Sequence, residues 1–402
     1  MPDPDYSFAW AIAPQTPETF FAEYFEHKPL VVRRNMPSYY KDLLCYDDID
    51  RVISTMGLSV PDINLTRADS TITAPDFSHE SGLIDPVRVA QLFADGATVI
   101  LSGLQGRLPK LAQFCRAMES VMSCGVQTNI YLTPVHSQGF RPHYDSHDVM
   151  VLQVEGTKEW RFYNTPLDLP LRSQGFDPHA TEIGEETERF VLEPGDMVYV
   201  PRGLVHDAVA TDQTSLHITT GLMAHTWADL LIDAVATAAR ADRVLRHALP
   251  PGFANDGFDA TIHRAFFDDL ITRFAQTAPL SKLMEGFKQD FLTTRAPQVP
   301  QQMTQIAMMD DLTIDAHVGA RANLIYDLTH MKDEQQVRLI CNGAEIVLPD
   351  HALAPLRYAI STPSFRISEL PGTLDDAGKI TLVRRLVREG LIVIHQTLDQ
   401  NH

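Results

Sequence analysis

Between residues 126 and 221 the chain is cut into short β-prone runs, each closed by a turn containing Gly or Pro. The runs are residues 126–132, 148–154, 158–163, 188–192, 197–200, 204–210 and 215–220. The turns between them include Glu155-Gly156-Thr157, Pro194-Gly195-Asp196 and Pro201-Arg202-Gly203. Strands this short and this closely spaced bury their apolar faces best by stacking two sheets, so a sandwich or jelly roll is expected. Residues 148–154 and 158–163 read as a hairpin across Glu155-Gly156-Thr157.

On either side of this block the apolar period is helical. Thr16-Pro17-Glu18-Thr19 is a helix start, with Thr at the N-cap and Pro at the first helical position, and Phe20, Phe21, Tyr24 and Phe25 follow at helical spacing. Leu30-Val31-Val32 reads as a short strand, 47–56 and 90–93 as helices, 97–102 as a strand and 109–124 as an amphipathic helix. After Gly221, Thr226 to Asp229 makes a capping-box-like start, and Trp227, Leu230, Leu231, Ala234, Val235 and Ala238 form an apolar stripe. Helices are expected at 260–276 and 280–293, and a linker at 295–302. The last hundred residues alternate: a hairpin around Asn342-Gly343, a helix over 351–361, a short element at 368–370, a helix over 375–388 and a final strand over 391–396. The fold class is therefore α+β, with domains expected at 1–223, 224–303 and 304–402, the last winged-helix-like.

A formal net charge of −19 over 402 residues disfavours broad binding to nucleic acid or to an anionic membrane. No apolar run spans a bilayer and the start, Met1-Pro-Asp-Pro-Asp-Tyr6, has no secretory pattern, so the cytoplasm is the expected compartment. Cys45, Cys115, Cys124 and Cys341 form no CxxC pair and read as free thiols.

The chemistry starts at His143-Tyr144-Asp145, where a polar loop runs into the apolar run 148–154. In extended backbone residues i and i+2 share a face, so His143 and Asp145 aim at one point. With one more imidazole they make a 2-His-1-carboxylate set, which leaves open positions and suits non-haem Fe(II). A histidine, an x and an aspartate occur together by chance, as a surface loop with a local hydrogen bond; the third ligand must discriminate.

Sixteen histidines offer candidates. His206 ends Gly195-x5-Pro201-x-Gly203-x2-His206, which matches the second cupin signature at every fixed position up to the histidine; the Asn often found four residues later is Ala210 here. His217, in Ser215-Leu-His-Ile-Thr219, is a rival or a core histidine, and His147 offers a competing pairing with Asp145. Lys158, Trp160 and Phe162 share one strand face, so Lys158 points inward, where a buried ammonium needs an anionic partner. An anionic cosubstrate supplies one; a lysine snorkelling from a strand end is the plainer reading. Asn129 and Tyr131 share a face of the strand before the metal loop, and Thr219 lies on the last strand; all three are candidate donors to the same anion.

These stretches resemble the JmjC-type ribosomal oxygenases of the cupin superfamily. The resemblance runs through Phe20 to Val32, Pro142-His-Tyr-Asp-Ser-His-Asp148, Leu152-Gln-Val-Glu-Gly-Thr-Lys-Glu-Trp160 and Leu192 to His206. It implies a double-stranded β-helix with N-terminal helices, a helical dimerisation segment and a winged-helix-like end. It implies Fe(II) on His143, Asp145 and His206, with 2-oxoglutarate on the iron and its distal carboxylate on Lys158, supported by Asn129. It implies a homodimer and a protein or peptide substrate, a ribosomal protein first among them, with O2 consumed as 2-oxoglutarate becomes succinate and CO2 and a C–H bond of Arg or His is hydroxylated. No catalytic side chain beyond the metal centre is needed. The same chemistry on another peptide or a free amino acid is the alternative within enzymes, and a non-catalytic cupin-type binding protein the alternative outside them. A redox-neutral cupin using HxH with a Glu is disfavoured by Asp145.

Overall fold

The computed structural model describes residues 5–395, which fall into two compact units divided between Ala224 and His225. Of the helical stretch expected at 224–303 and the terminal stretch expected at 304–402, residues 225–303 and 304–395 lie together in the second unit.

In the first unit, helices α1 (Phe8–Ile12) and α2 (Pro17–Glu23) lead into β1 (Leu30–Val32); α3 (Tyr46–Thr55), β2 (Ile63–Thr66), α4 (Ala74–Phe77), α5 (Pro86–Ala94), β3 (Thr98–Ser102) and α6 (Pro109–Met122) follow. Thr16 caps α2 as expected, its Oγ1 accepting from the Thr19 N–H at 3.2 Å. The strands of the central block are β4 (Gly125–Thr133), β5 (Asp148–Glu155), β6 (Lys158–Phe162), β7 (Glu188–Leu192), β8 (Met197–Val200), β9 (His206–Ala210) and β10 (Ser215–Met223). They form two antiparallel sheets, a seven-stranded one in the order β1-β8-β5-β10-β4-β3-β2 and a three-stranded one in the order β7-β6-β9. Two stacked sheets are the jelly-roll arrangement that the short punctuated strands imply.

The expected hairpin between residues 148–154 and 158–163 does not form. β5 pairs with β8 and β10, whereas β6 pairs with β7 and β9. Seven of the eight β5 residues are buried, so the strand has a neighbour on each edge and no edge free for β6. The chain crosses from one sheet to the other at Gly156, whose φ is +60° and where a Cβ would meet the Thr214 carbonyl oxygen at 1.9 Å. Only glycine fits that crossing.

One core fills the space between the large sheet and the helices, with Phe8, Phe20, Tyr40, Phe114 and Tyr199 at its centre. A smaller one, around Val149, Trp160, Phe162, Phe190 and Val198, lies between the sheets. Cys115 and Cys124 are buried and unbridged.

In the second unit α7 (Trp227–Ala241) starts at a complete capping box, Thr226 with Asp229. α8 (Arg264–Thr277), α9 (Leu280–Thr294) and α10 (Gln302–Ala307) follow. The apolar stripe on α7 divides: Leu230, Ala234 and Ala238 are buried, while Trp227, Leu231 and Val235 are exposed. Next come β11 (His317–Ala320), β12 (Tyr326–Met331), β13 (Gln336–Cys341), β14 (Ala344–Pro349), α11 (Leu353–Ser361), β15 (Phe365–Arg366), α12 (Asp376–Arg388) and β16 (Ile392–Ile394). The β13–β14 hairpin turns at Asn342 and Gly343, both at positive φ, as a two-residue Asn-Gly turn requires. The final strand was expected to run to Gln396, which lies outside the described residues.

Candidate metal and dicarboxylate site

A cleft with about 560 Å³ free of protein atoms opens in the jelly roll. Its walls bring together residues from distant parts of the sequence: Tyr131, His143, Asp145, Lys158, His206 and Thr219.

His143 lies in the loop before β5 and His206 is the first residue of β9. Each donates its backbone N–H to the other's carbonyl, His143 to His206 at 3.1 Å and His206 to His143 at 2.8 Å. A third bond runs from the Gly203 N–H to the Asp145 carbonyl at 3.0 Å. Main-chain pairing therefore fixes the separation of all three side chains. Gly203 has φ +91°, and a Cβ there would lie 2.2 Å from the Leu167 carbonyl oxygen, so the turn before His206 needs glycine.

The side chains converge. One ligand atom from each of His143, Asp145 and His206 lies within 4.8 Å of the others. Both histidines present the correct nitrogen: Nδ1 of His143 lies 2.9 Å from the Arg141 carbonyl and Nδ1 of His206 lies 3.0 Å from the Leu204 carbonyl. Each carbonyl selects the tautomer with the proton on Nδ1, leaving Nε2 as a lone pair for a metal. Burial, and then the neighbouring His143, push the His206 pKa down, which keeps that lone pair available. Two imidazoles and one carboxylate, with free space beside them, fit a divalent first-row metal that keeps open positions.

On another wall Lys158 is 4% exposed, and its Nζ donates to Thr133 Oγ1 at 3.1 Å. Thr133 in turn meets Thr98 Oγ1 at 3.2 Å. Burial pushes the lysine pKa down to about 7. An ammonium with one neutral partner and two unused donors is the environment an incoming carboxylate completes. Trp160 Nε1 and His217 Nδ1, buried in the same cleft, also have no hydrogen-bond partner.

Tyr131 and Thr219 line the cleft. Asn129 shares the Tyr131 face of β4 and sits opposite Thr219 in the sheet, but it is outside the cleft lining. His147 packs against Gly221, with its Nε2 2.9 Å from where a Cβ would be, and is not part of the three-residue cluster. His217 is buried in the cleft wall, stacked on Tyr131 at 4.9 Å between ring centres, and kept neutral by burial and then by Lys158. Sequence reasoning missed Thr98 and Thr133. Thr133 was in reach: it continues the Asn129–Tyr131 alternation by one step, and the expected strand stopped at Leu132.

Residues 101–230 match the JmjC domain family. That stretch is similar to a JmjC domain, and the chain is similar to proteins named as ribosomal oxygenases. It is 34% identical over 254 residues to the bifunctional lysine-specific demethylase and histidyl-hydroxylase NO66 of Aedes aegypti, covering 60% of this chain and 39% of that one. It is 28% identical over 368 residues to ribosomal oxygenase 1 of Rattus norvegicus, covering 85% of this chain and 61% of that one. The chain thus spans less than two thirds of the length of these curated relatives. Its fold matches the structure of YcfD, a ribosomal oxygenase from Escherichia coli, in complex with cobalt and 2-oxoglutarate, with a TM-score of 0.55 at 15% identity over 94% of this chain and 98% of that one.

Proposed function

We propose that this protein is an Fe(II)- and 2-oxoglutarate-dependent oxygenase that hydroxylates an Arg or His side chain of a ribosomal protein. The observation that carries the reading is the pairing of the His143-Asp145-His206 cluster with the buried, under-coordinated Lys158 in one cleft. His143 and His206 would hold iron through Nε2 and Asp145 through a carboxylate oxygen. Lys158 would bind the distal carboxylate of 2-oxoglutarate, with Tyr131 and Thr219 beside it and Asn129 at the adjoining end of β4. Bound iron and 2-oxoglutarate supply the oxidising chemistry, consuming O2 and releasing succinate and CO2 as the C–H bond becomes an alcohol. The chain's own part is to place both groups and shelter them: Trp160 stacks over His206 at 5.8 Å, and Phe140 and Phe176 flank His143 at 5.4 and 6.5 Å.

Two supports favour a ribosomal-protein substrate: the names of the relatives, and a net charge of −19, which steers basic partners toward the surface. The protein would act as a homodimer through 224–300. Trp227, Ile232 and Val235 on α7 and Phe267 and Ile271 on α8 are each more than half exposed, more apolar surface than one chain has reason to leave wet. Residues 304–402, with their β12-β13-β14 sheet and helices α11 and α12, would form a winged-helix-like domain with no direct nucleic-acid role. A cytoplasmic location keeps Fe(II) reduced and accords with no described helix being long and apolar enough to cross a membrane.

The test is to supply protein purified without oxygen with Fe(II), 2-oxoglutarate, O2 and a library of ribosomal-protein peptides, and to follow succinate and peptide mass. The expected result is substrate-stimulated succinate with a gain of one oxygen, abolished in His143→Ala. Loss of a methyl group from a methyl-lysine peptide instead would redirect the reading to demethylation. No substrate-stimulated turnover, with His143→Ala binding metal like the wild type, would sink it.

A further inference from the structure

Behind the metal cluster, outside the cleft lining, lies a closed ring of polar groups. Arg202 Nη1 donates to Asp148 Oδ2 at 2.8 Å and to Glu26 Oε1 at 2.5 Å. Asp148 Oδ1 accepts from the Tyr199 hydroxyl at 2.6 Å, and the Tyr199 oxygen accepts from the Glu26 N–H at 2.9 Å. The Arg202 and Asp148 side chains are 8% and 1% exposed. None of the four residues lines the cleft.

The ring sits where the two ligand-bearing segments meet. Asp148 follows Asp145 by three residues, and Arg202 precedes His206 by four. Three main-chain hydrogen bonds join these segments, His143 with His206 in both directions and Gly203 to Asp145. The two between His143 and His206 need no particular side chain, whereas the one from Gly203 needs glycine. The Arg202–Asp148 pair is the charged side-chain link between the start of β5 and the turn before His206, beside the Tyr199–Asp148 hydrogen bond, and it is reinforced by the Arg202 N–H at 3.4 Å from Asp148 Oδ1. A buried ion pair is a weak source of stability compared with an apolar pair of the same volume, because both charges lose their water. Its strength is direction. The β8 and β10 ladders hold the start of β5, and the ion pair adds a directed link from it to the turn before His206, which bears on how far the Asp145 carboxylate stands from the two imidazoles; metal ligation tolerates errors of only about 0.2 Å.

Resting on the metal-site reading above, we propose that Arg202 is a positioning residue for the metal: it clamps the segment carrying His143 and Asp145 to the turn carrying His206, through Asp148, without touching the ion. Removing its charge leaves Asp148 and Glu26 facing each other, two carboxylates with no cation between them. Asp148 then turns away, and Asp145 moves with the loop.

The experiment is a cobalt(II) titration of the full-length protein, followed by visible absorption and calorimetry and with no turnover required. Arg202→Met is expected to bind cobalt at least tenfold more weakly and to change the intensity and position of the visible bands. Arg202→Lys, which keeps a cation in a smaller volume and covers the case in which Arg202→Met fails to fold, is expected to lose about threefold in affinity with a smaller band change. The double variant Arg202→Met/Asp148→Asn removes the stranded charge; it is expected to regain wild-type thermal stability while cobalt affinity stays low. A folded Arg202→Lys with wild-type affinity and spectrum overturns the proposal. So does a double variant that recovers stability and cobalt affinity together, since the pair would then matter to folding alone. If wild type itself binds no cobalt, or His143→Ala binds as tightly, the metal reading falls and this inference with it.

Discussion

Titrating 2-oxoglutarate into the cobalt-loaded protein at several pH values tests the state of Lys158 directly. In the free protein burial holds its pKa at about 7, against about 10.4 for an exposed lysine. A carboxylate beside it favours the charged form, so binding must put a proton on whatever fraction of the lysine is neutral. At pH 6.5 about a quarter is neutral, and at pH 8.5 nearly all of it. Affinity should therefore fall about 25-fold between those values, roughly 1.9 kcal/mol. The other group that could take the proton is His217, but burial and then Lys158 keep it neutral throughout this range. In the cobalt-loaded protein His143 and His206 would be held by the proposed metal. Calorimetry in two buffers of different ionisation heat, with O2 excluded, counts the protons: about 0.2 taken up per ligand at pH 6.5 and about one at pH 8.5. Lys158→Met should flatten the pH profile and weaken binding about 10- to 100-fold, the worth of a charge-assisted hydrogen bond. An affinity independent of pH, with heats that do not depend on buffer, would refute the argument from burial.

The same lysine predicts a stability slope. The unfolded chain holds its proton up to about pH 10.4 while the folded chain releases it near 7, so this group makes the ligand-free protein more stable as pH rises across that window; Lys158→Met should remove that rise in thermal melts between pH 7 and 9. Gly203→Ala forces a Cβ to 2.2 Å from the Leu167 carbonyl in a left-handed backbone position, so it should cost more than about 3 kcal/mol by chemical denaturation and release metal in the same transition. Trp227→Glu with Val235→Glu places charges on two exposed positions of α7 and should convert a dimer to a monomer by light scattering, with cobalt affinity unchanged; a monomeric wild type would contradict the dimer.

Much of the site was legible because its parts obey local rules. The two-residue spacing of His143 and Asp145, and the Gly195-Pro201-Gly203-His206 spacing, are consequences of turn geometry that reads directly from residue type. The inward aim of Lys158 followed from Trp160 and Phe162 on the same strand face. What failed was pairing. A Gly turn between two apolar runs is equally compatible with a hairpin and with a crossing between sheets, and the evidence that separates them, the burial of β5 on both edges, depends on β8 and β10 far along the chain. The lysine's partner was lost for a smaller reason, the expected strand ending one residue short of Thr133. Asn129 lies on the expected face of the expected strand, paired with the cleft residue Thr219, but outside the cleft lining itself. The Arg202 ring was beyond sequence reasoning, since nothing local ties Glu26 to Asp148 across 122 residues.

The reciprocal bonds between His143 and His206 bear on how the protein acquires its ion. Both amide hydrogens are committed to the opposite chain segment whether or not a metal is present. In hydrogen-exchange measurements they should be slow to label in the metal-stripped protein, and only slightly slower once it is loaded. If the site holds iron as proposed, its loss to a chelator or to oxidation would idle the protein without unravelling it. An idle molecule retains its socket, so recharging is a second-order encounter with free ion, limited by supply and not by refolding.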